Sequence, residues 1–350
     1  MATGTKIQWT EATWNVCVGC TKISAGCQNC YALRMAVRLA HNPKIPKKDR
    51  ERYRSTISET KSGWEWSGKV ALFEDRLEQP KSWRKPRMVF LCSMSDICHE
   101  DVPAWFIEAT FNAMLWNDQN GGDYGQKHIF QVLTKRPERL ANLLSGNVWR
   151  PCVHGALPVG PAGPIPNGGL PERIWVGITA EDQKALDDRA YHLWRIPAKM
   201  TWISHEPALG PLDLSARYGE GQPDDPPAPI SEWIKWVVTG GESGPGARPM
   251  SPDVARSMRN QCAAAGVPWF FKQWGEWREC DSPADWQGED PRRYAIRWVH
   301  TNGETFGPVE GERFQPCNSA RRMVRLGKKS AGNLLDGKAY QAFPSTEKLF

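Results

Sequence analysis

From Met88 onward the chain repeats one pattern: a short apolar run rich in β-branched and aromatic residues, then polar residues, then a helical stretch. The runs are Met88–Cys92, Ile129–Leu133, Ile174–Ile178, Met200–Ile203, Trp236–Thr239 and Val267–Phe271. They are nearly continuous in hydrophobicity rather than alternating. A strand of that kind is buried on both faces, and such strands belong to parallel sheets covered by helical crossovers. The pattern predicts an α/β fold, a partial or complete parallel (β/α) barrel.

The polar residues directly after each run carry the chemistry. In order these are Ser93-Met-Ser95-Asp96, Thr134-Lys135-Arg136, Thr179-Ala-Glu181-Asp182, Ser204-His205-Glu206-Pro207, Gly240-Gly241-Glu242-Ser243-Gly244 and Lys272-Gln273-Trp274. Barrels and open α/β sheets build their sites at strand C-terminal ends. Helix capping accounts for Asp96 or Asp182 at such positions, but poorly for Lys135, His205 and Lys272. The candidate rim is therefore Ser95, Asp96, Lys135, Glu181, Glu206, Gly240, Gly241, Glu242 and Lys272. The glycine-rich stretch Gly240–Asp253 comes after its strand, so its backbone N–H groups are placed to cradle an anionic ligand. Two other Pro/Gly-rich segments, Pro151–Pro171 and Gly219–Pro229, precede strands and are expected as loops on the opposite face. Beyond Trp277, Tyr294–Phe306 reads as a β-hairpin on an Asn302-Gly303 turn. We read residues 1–277 as the barrel and 278–350 as an extension packed on it.

Charge is uneven. The net +6 is matched by residues 34–54 alone, where eight Lys/Arg face only Asp49 and Glu51. A second run, Arg321-Arg322-Met-Val-Arg325-Leu-Gly-Lys328-Lys329, has no acid. Such runs are either solvated surface or a phosphate-backbone footprint, and the second reading makes nucleic acid, DNA in particular, the expected partner. No apolar stretch of about 18 residues is present, so no membrane span is expected. Met1–Lys6 lacks the apolar core of a secretory signal. The expected location is the cytoplasm, where thiols stay reduced.

That setting matters for Cys17-Val-Gly-Cys20-Thr-Lys-Ile-Ser-Ala-Gly-Cys27-Gln-Asn-Cys30, which packs four of the ten cysteines into fourteen residues. Clustered thiolates in a reduced compartment converge on a metal. A helix-forming run, Tyr31–Ala40, comes at once after them and brings positive backbone dipole to the sulfurs. Two fillings compete. Cys17-x2-Cys20 with Cys27-x2-Cys30 makes a closed four-thiolate zinc site, and with it a metal-stabilised nucleic-acid-binding protein without catalysis. Cys20, Cys27 and Cys30 alone make a three-thiolate iron–sulfur site with one iron open.

Seven segments resemble a known family. They are Trp9–Asn15, Gly19–Ala32, Ser93–Asp96, Leu133–Arg139, Glu206–Pro211, Gly240–Pro249 and Phe271–Glu276, in order over nearly residues 7–340. Together they resemble the phage three-cysteine-motif proteins of phages and prophages, which are in turn distantly similar to radical S-adenosylmethionine (SAM) enzymes, including the spore photoproduct lyase branch. The resemblance implies a 4Fe-4S cluster on Cys20, Cys27 and Cys30, SAM as cofactor, an external electron donor, and hydrogen abstraction by a 5′-deoxyadenosyl radical. With the basic runs it implies a nucleic-acid base or modified nucleotide in phage DNA as substrate, acting in the host cytoplasm. The spacing departs from the common C-x3-C-x2-C: the first gap is six residues, and the aromatic Tyr31 comes after the last cysteine. The Gly-Gly-Glu signature that holds the SAM amine after the second strand of those enzymes occurs here only at Gly240–Glu242. Assignment of rim residues to SAM therefore rests on their position. Trp9, Trp14 and Trp274 are the candidates for stacking a base.

Overall fold

All six apolar runs are strands, and they pair as parallel neighbours in chain order in the computed structural model. The structure describes residues 4–119, 128–145, 169–218, 228–280, 295–307 and 320–346. The sheet has seven strands: β1 (Ala12–Trp14), β2 (Met88–Leu91), β3 (Ile129–Thr134), β4 (Leu170–Thr179), β5 (Ala198–His205), β6 (Trp236–Gly240) and β7 (Trp269–Gln273). It curls into a half-barrel. The strand not read from sequence is β1. It is three residues long with Thr13 at its centre, too short to show an apolar run, and it exists through its register with β2 (Ala12 opposite Val89, Trp14 opposite Leu91).

Helices α1 (Tyr31–Ala40) and α2 (Lys47–Ser55) lie in the long β1–β2 connection. The crossovers are α3 (Ala104–Gln119), α4 (Pro137–Ser145), α5 (Gln183–Trp194) and α6 (Pro252–Ala265). Their apolar faces, with one face of the sheet, form the main core. Asp182 caps α5 by accepting from Ala185 N at 2.8 Å, and Gly266 ends α6 in the left-handed conformation (φ 67°), where a side chain is disfavoured. The Pro/Gly-rich segments expected as loops fall mostly outside the described residues.

A second core fills the concave side. Phe90, Ile129, Trp175, Trp202, Trp236, Val238 and Phe270 come from six successive strands and pack around Trp9. Ring centroids of Trp9, Trp202 and Trp236 lie 5.3–6.1 Å apart, in tilted and edge-on arrangements that suit the ring quadrupoles. Space for Trp202 comes from Gly177 on β4, where a Cβ would lie 2.5 Å from the indole. Four tryptophans, Trp9, Trp175, Trp202 and Trp236, thus plug the half-barrel beneath the strand ends. Trp14 and Trp274 are also structural, which corrects their place among the base-stacking candidates. Both are buried, and their indole N–H groups donate to Arg76 O and Leu334 O at 2.7 Å.

The C-terminal region adds an antiparallel sheet of β8 (Trp277–Glu279), β9 (Ile296–Val299), β10 (Thr305–Phe306) and β11 (Arg321–Arg325), in the order β8-β11-β9-β10. The expected hairpin is β9–β10, with Gly303 at φ 91° in its turn. This sheet braces the glycine-rich loop: Trp277 Nε1 donates to Ala247 O at 2.7 Å and Arg325 Nη2 to Gly244 O at 3.1 Å. The tail then runs along β7, with Phe271 N donating to Tyr340 O and Ala342 N to Trp269 O. It covers the edge that an open sheet leaves unpaired. Among the described residues no helix is long and apolar enough to cross a membrane.

Candidate functional site

The polar residues after the strands converge, as their positions predict. Cys20, Cys27 and Cys30 line a single cavity of about 260 Å³ at the strand C-terminal ends, together with Ser95, Asp96, Lys135, Glu206, Gly241, Glu242 and Lys272. Cys27 closes a short 3₁₀ turn (Ala25–Cys27), and Cys30 is the residue before α1. Cys17 goes elsewhere. It is fully buried, pairs opposite Leu72 in a two-residue strand, and its Sγ lies 3.4 Å from Cys92 Sγ.

Two carboxylates, Glu181 and Glu242, hold the cysteine loop against the rim. Burial alone would raise the Glu181 carboxyl, but Lys135 and Arg189 outweigh it and hold it well below the usual range. Its Oε2 accepts from Lys135 Nζ at 3.0 Å and Arg189 Nη1 at 2.8 Å, while Oε1 accepts from Gly26 N at 3.1 Å. Lys135 also donates to Ser24 Oγ at 3.2 Å. A Cβ at position 26 would stand 2.9 Å from Lys135 Nζ and 3.1 Å from the Glu181 carboxylate, so a side chain there would press on both members of this pair. From the other side Glu242 accepts from Asn29 Nδ2 and Arg248 N at 2.8 Å and from Arg248 Nη2 at 2.7 Å. Arg248 continues to Ala25 O at 2.9 Å. Those bonds outweigh burial and keep Glu242 below its ordinary range. Asp96 accepts from Thr134 Oγ1, Lys135 N and Cys98 N at 2.8–3.0 Å, and Ser95 Oγ donates to Gly19 O at 2.5 Å. Gly241 packs its α-carbon against Trp274 O, and a Cβ at Gly240 would lie 2.8 Å from Glu206. Of the rim residues expected to bind SAM, Ser95, Asp96, Glu181 and Glu242 therefore have protein partners: Ser95, Glu181 and Glu242 bond the loop, and Asp96 bonds the end of β3 and Cys98.

Glu206 and Lys272 form the charged pair at the cavity floor, 2.7 Å apart, with Trp9 Nε1 donating to Glu206 Oε2 at 3.1 Å. Beside them the buried Gln273 Oε1 has no hydrogen-bond partner among the described residues, an acceptor open to a ligand. His205, expected on the rim by its place after β5, is instead buried. Its Nε2 donates to Gly210 O at 2.9 Å, and burial lowers its pKa to about 4.

Several site residues were missed from sequence. Arg136 reaches Cys20 Sγ at 3.8 Å while donating to Thr21 Oγ1 at 2.6 Å and Glu100 at 2.8 Å. Arg248 and Asn29 join the loop to Glu242, and Arg34 Nη2 donates to Ser243 O at 2.9 Å. The available signal was the place of Arg136, Arg248 and Asn29 inside the segments that carry the resemblance. The basic runs are also partly consumed internally. Arg52 pairs with Asp49 and Asp75, Arg54 donates to Ala40 O, and Arg321 pairs with Asp253.

Burial, with Asp96 nearby, pushes the Cys20 thiol up to about 12, and burial raises Cys30. At Cys27 burial acts the same way, but Lys135 and hydrogen bonds from Ile23 and Ser24 reverse it and leave the thiol below its ordinary value. The donor set fits an iron–sulfur cluster: three cysteines of one loop, Cys20, Cys27 and Cys30, line one cavity, with Lys135 and Arg136 beside them. It does not fit the four-thiolate zinc site, because Cys17 points into the core. Among the described residues no three His, Cys, Asp or Glu side chains converge as a single-ion site.

Fold and site together define a class: a parallel β/α half-barrel whose cavity at the strand ends is lined by three cysteines of one loop. The chain belongs to the family described as "Protein of unknown function (DUF5131)", whose model matches residues 4–344. No curated protein and no solved structure is significantly similar to it.

Proposed function

We propose that this protein is a radical SAM enzyme that holds a 4Fe-4S cluster on Cys20, Cys27 and Cys30. Its substrate in this reading is a nucleic-acid base or modified nucleotide of phage DNA, met in the host cytoplasm. One observation carries the reading: these three cysteines of the loop open into the cavity at the strand ends, while the fourth is turned away. When bound, the cluster and SAM supply a 5′-deoxyadenosyl radical for hydrogen abstraction, with the electron coming from an external donor.

The chain's own residues do the rest. Lys135 and Arg136 set positive charge beside the thiolates, and the Glu181 and Glu242 networks fix the loop before any cofactor arrives. Glu206 offers a carboxylate to an amine or hydroxyl, and Lys272 an ammonium to a carboxylate. An amino-acid zwitterion such as the SAM methionyl group can exchange partners with this pair without leaving a buried charge unmatched. Trp9, Phe90 and Leu133 line the wall and limit water near the reacting centre.

The test is anaerobic purification, reconstitution with iron and sulfide, and addition of SAM with a reductant. The expected result is an iron–sulfur spectrum and release of 5′-deoxyadenosine, both lost in Cys27→Ala. A colourless protein carrying zinc, with neither signal, would overturn the proposal.

A further inference from the structure

A second cavity opens beside the first. It measures about 390 Å³ and is lined by Gln8, Gln273, Lys328, Lys329, Gly332 and Asn333. Gln273 lines both cavities, so the thiol-bearing site and this basic one adjoin at that residue. The loop from β11 brings Lys328 and Lys329 there, and among the described residues neither pairs with a carboxylate. The charges around Lys328 are mixed. Lys272 and Lys6 oppose the Lys328 ammonium, while Glu206 and Glu276 favour it. Glu206 already pairs with Lys272, and Glu276 accepts from Gly244 N at 2.8 Å. Partial desolvation and the lysines nearby lower the Lys328 pKa, and an anion entering here meets two ammonium groups that have no carboxylate partner among the described residues. Gln273 Oε1, without a partner among the described residues, can accept from a hydrogen-bond donor on the same ligand.

We infer that this second cavity binds the phosphate of a nucleoside phosphate, with Lys328 and Lys329 on the phosphate and Gln273 Oε1 accepting from the sugar or base that enters the thiol-bearing cavity. The inference rests on the proposed function for the identity of the main cavity's occupant, but it concerns binding alone. A free nucleotide and a DNA strand present the same phosphate chemistry, and the assay separates them.

The experiment measures binding by titration calorimetry to the full chain before iron is added, so it does not depend on cluster assembly. Thymidine, thymidine 5′-monophosphate and a short oligodeoxythymidine are compared on wild type and on Lys328→Gln/Lys329→Gln. Both lysines are exposed, and a thermal melt confirms that the double variant folds. The expected result is that the monophosphate binds wild type about 10-fold more tightly than thymidine, as charge-assisted phosphate contacts provide. The variant loses that preference and keeps its affinity for thymidine. If a strand is the natural source, the oligonucleotide binds more tightly still, and the variant lowers its log–log salt slope by about 1.4, the value for two phosphate contacts on a single strand. If a free nucleotide is the source, the oligonucleotide gains nothing over the monophosphate. No phosphate preference in wild type, or one retained by the variant, overturns the inference while leaving the radical SAM reading to its own test.

Discussion

Glu181→Gln removes one charge and keeps the shape of the side chain. In the wild type the carboxylate is 1% exposed, and it serves Lys135 and Arg189, whose side chains are 17% and 7% exposed. In the variant the amide oxygen keeps the Gly26 N–H, so the amide NH2 faces both cations where Oε2 stood. Two buried positive groups then meet a donor instead of an acceptor. Breaking a buried pair from one side costs about 3–5 kcal/mol. Set against a typical stability of about 5–15 kcal/mol, that is a large fraction. Urea unfolding of the two proteins measures it directly. Adding Lys135→Met removes one of the stranded cations and is expected to restore part of the loss. The sign with pH comes from the lowered carboxyl: its contribution is fully present above the unfolded value of about 4.3 and is lost as pH falls through the lower folded value. The gap between wild type and variant should therefore stay constant from neutral pH down to about 4.5 and narrow in stronger acid. A variant within about 0.5 kcal/mol of wild type at neutral pH, the range of ordinary surface substitutions, would refute the role given to this network.

Cys17→Ser should retain the iron load of the wild type after reconstitution while losing about 1–3 kcal/mol, because a hydroxyl replaces a thiol packed against Cys92. Cys20→Ser, by contrast, should lose the iron, as colorimetric iron and sulfide analysis would show. Gly241→Ala places a methyl on the Trp274 carbonyl and should lower stability by about 1–3 kcal/mol, read from thermal melts. His205 is buried with its pKa lowered to about 4, so the unfolded chain binds more protons than the folded one between that value and about 6.5. Stability should rise with pH across that window, and His205→Gln should make the rise shallower in urea midpoints measured at several pH values.

Six of the seven strands were legible because continuous apolar runs are a local property, and burial on both faces leaves such a run little alternative to a central strand. Helix α1 was legible at Tyr31–Ala40 for the same kind of reason, a continuous run of helix-forming residues. The three-residue β1 carried no such pattern. Direction was harder. Cys17 and Cys20 are equivalent in spacing, yet one sulfur enters the core and the other the cavity, because the chain between them forms a short strand against Ala71–Leu72 and turns at Gly19 (φ 100°). Trp9 and Trp14 are likewise similar in the sequence, but one walls the cavity and the other fills the core.

The amino-acid sequence by itself determined the parallel α/β class, the placement of polar groups at strand ends and the cysteine-rich loop, since each depends on neighbours a few residues apart. Only the tertiary structure decided which rim carboxylates are engaged. Glu181 meets Lys135 from a separate strand end, Glu242 meets Asn29 from the cysteine loop, and Glu206 meets Lys272 on the cavity floor. A carboxylate's availability depends on which cation or N–H stands within about 3 Å of it. That is set by how the strands pair and the sheet curls, and residue type and spacing do not encode it locally.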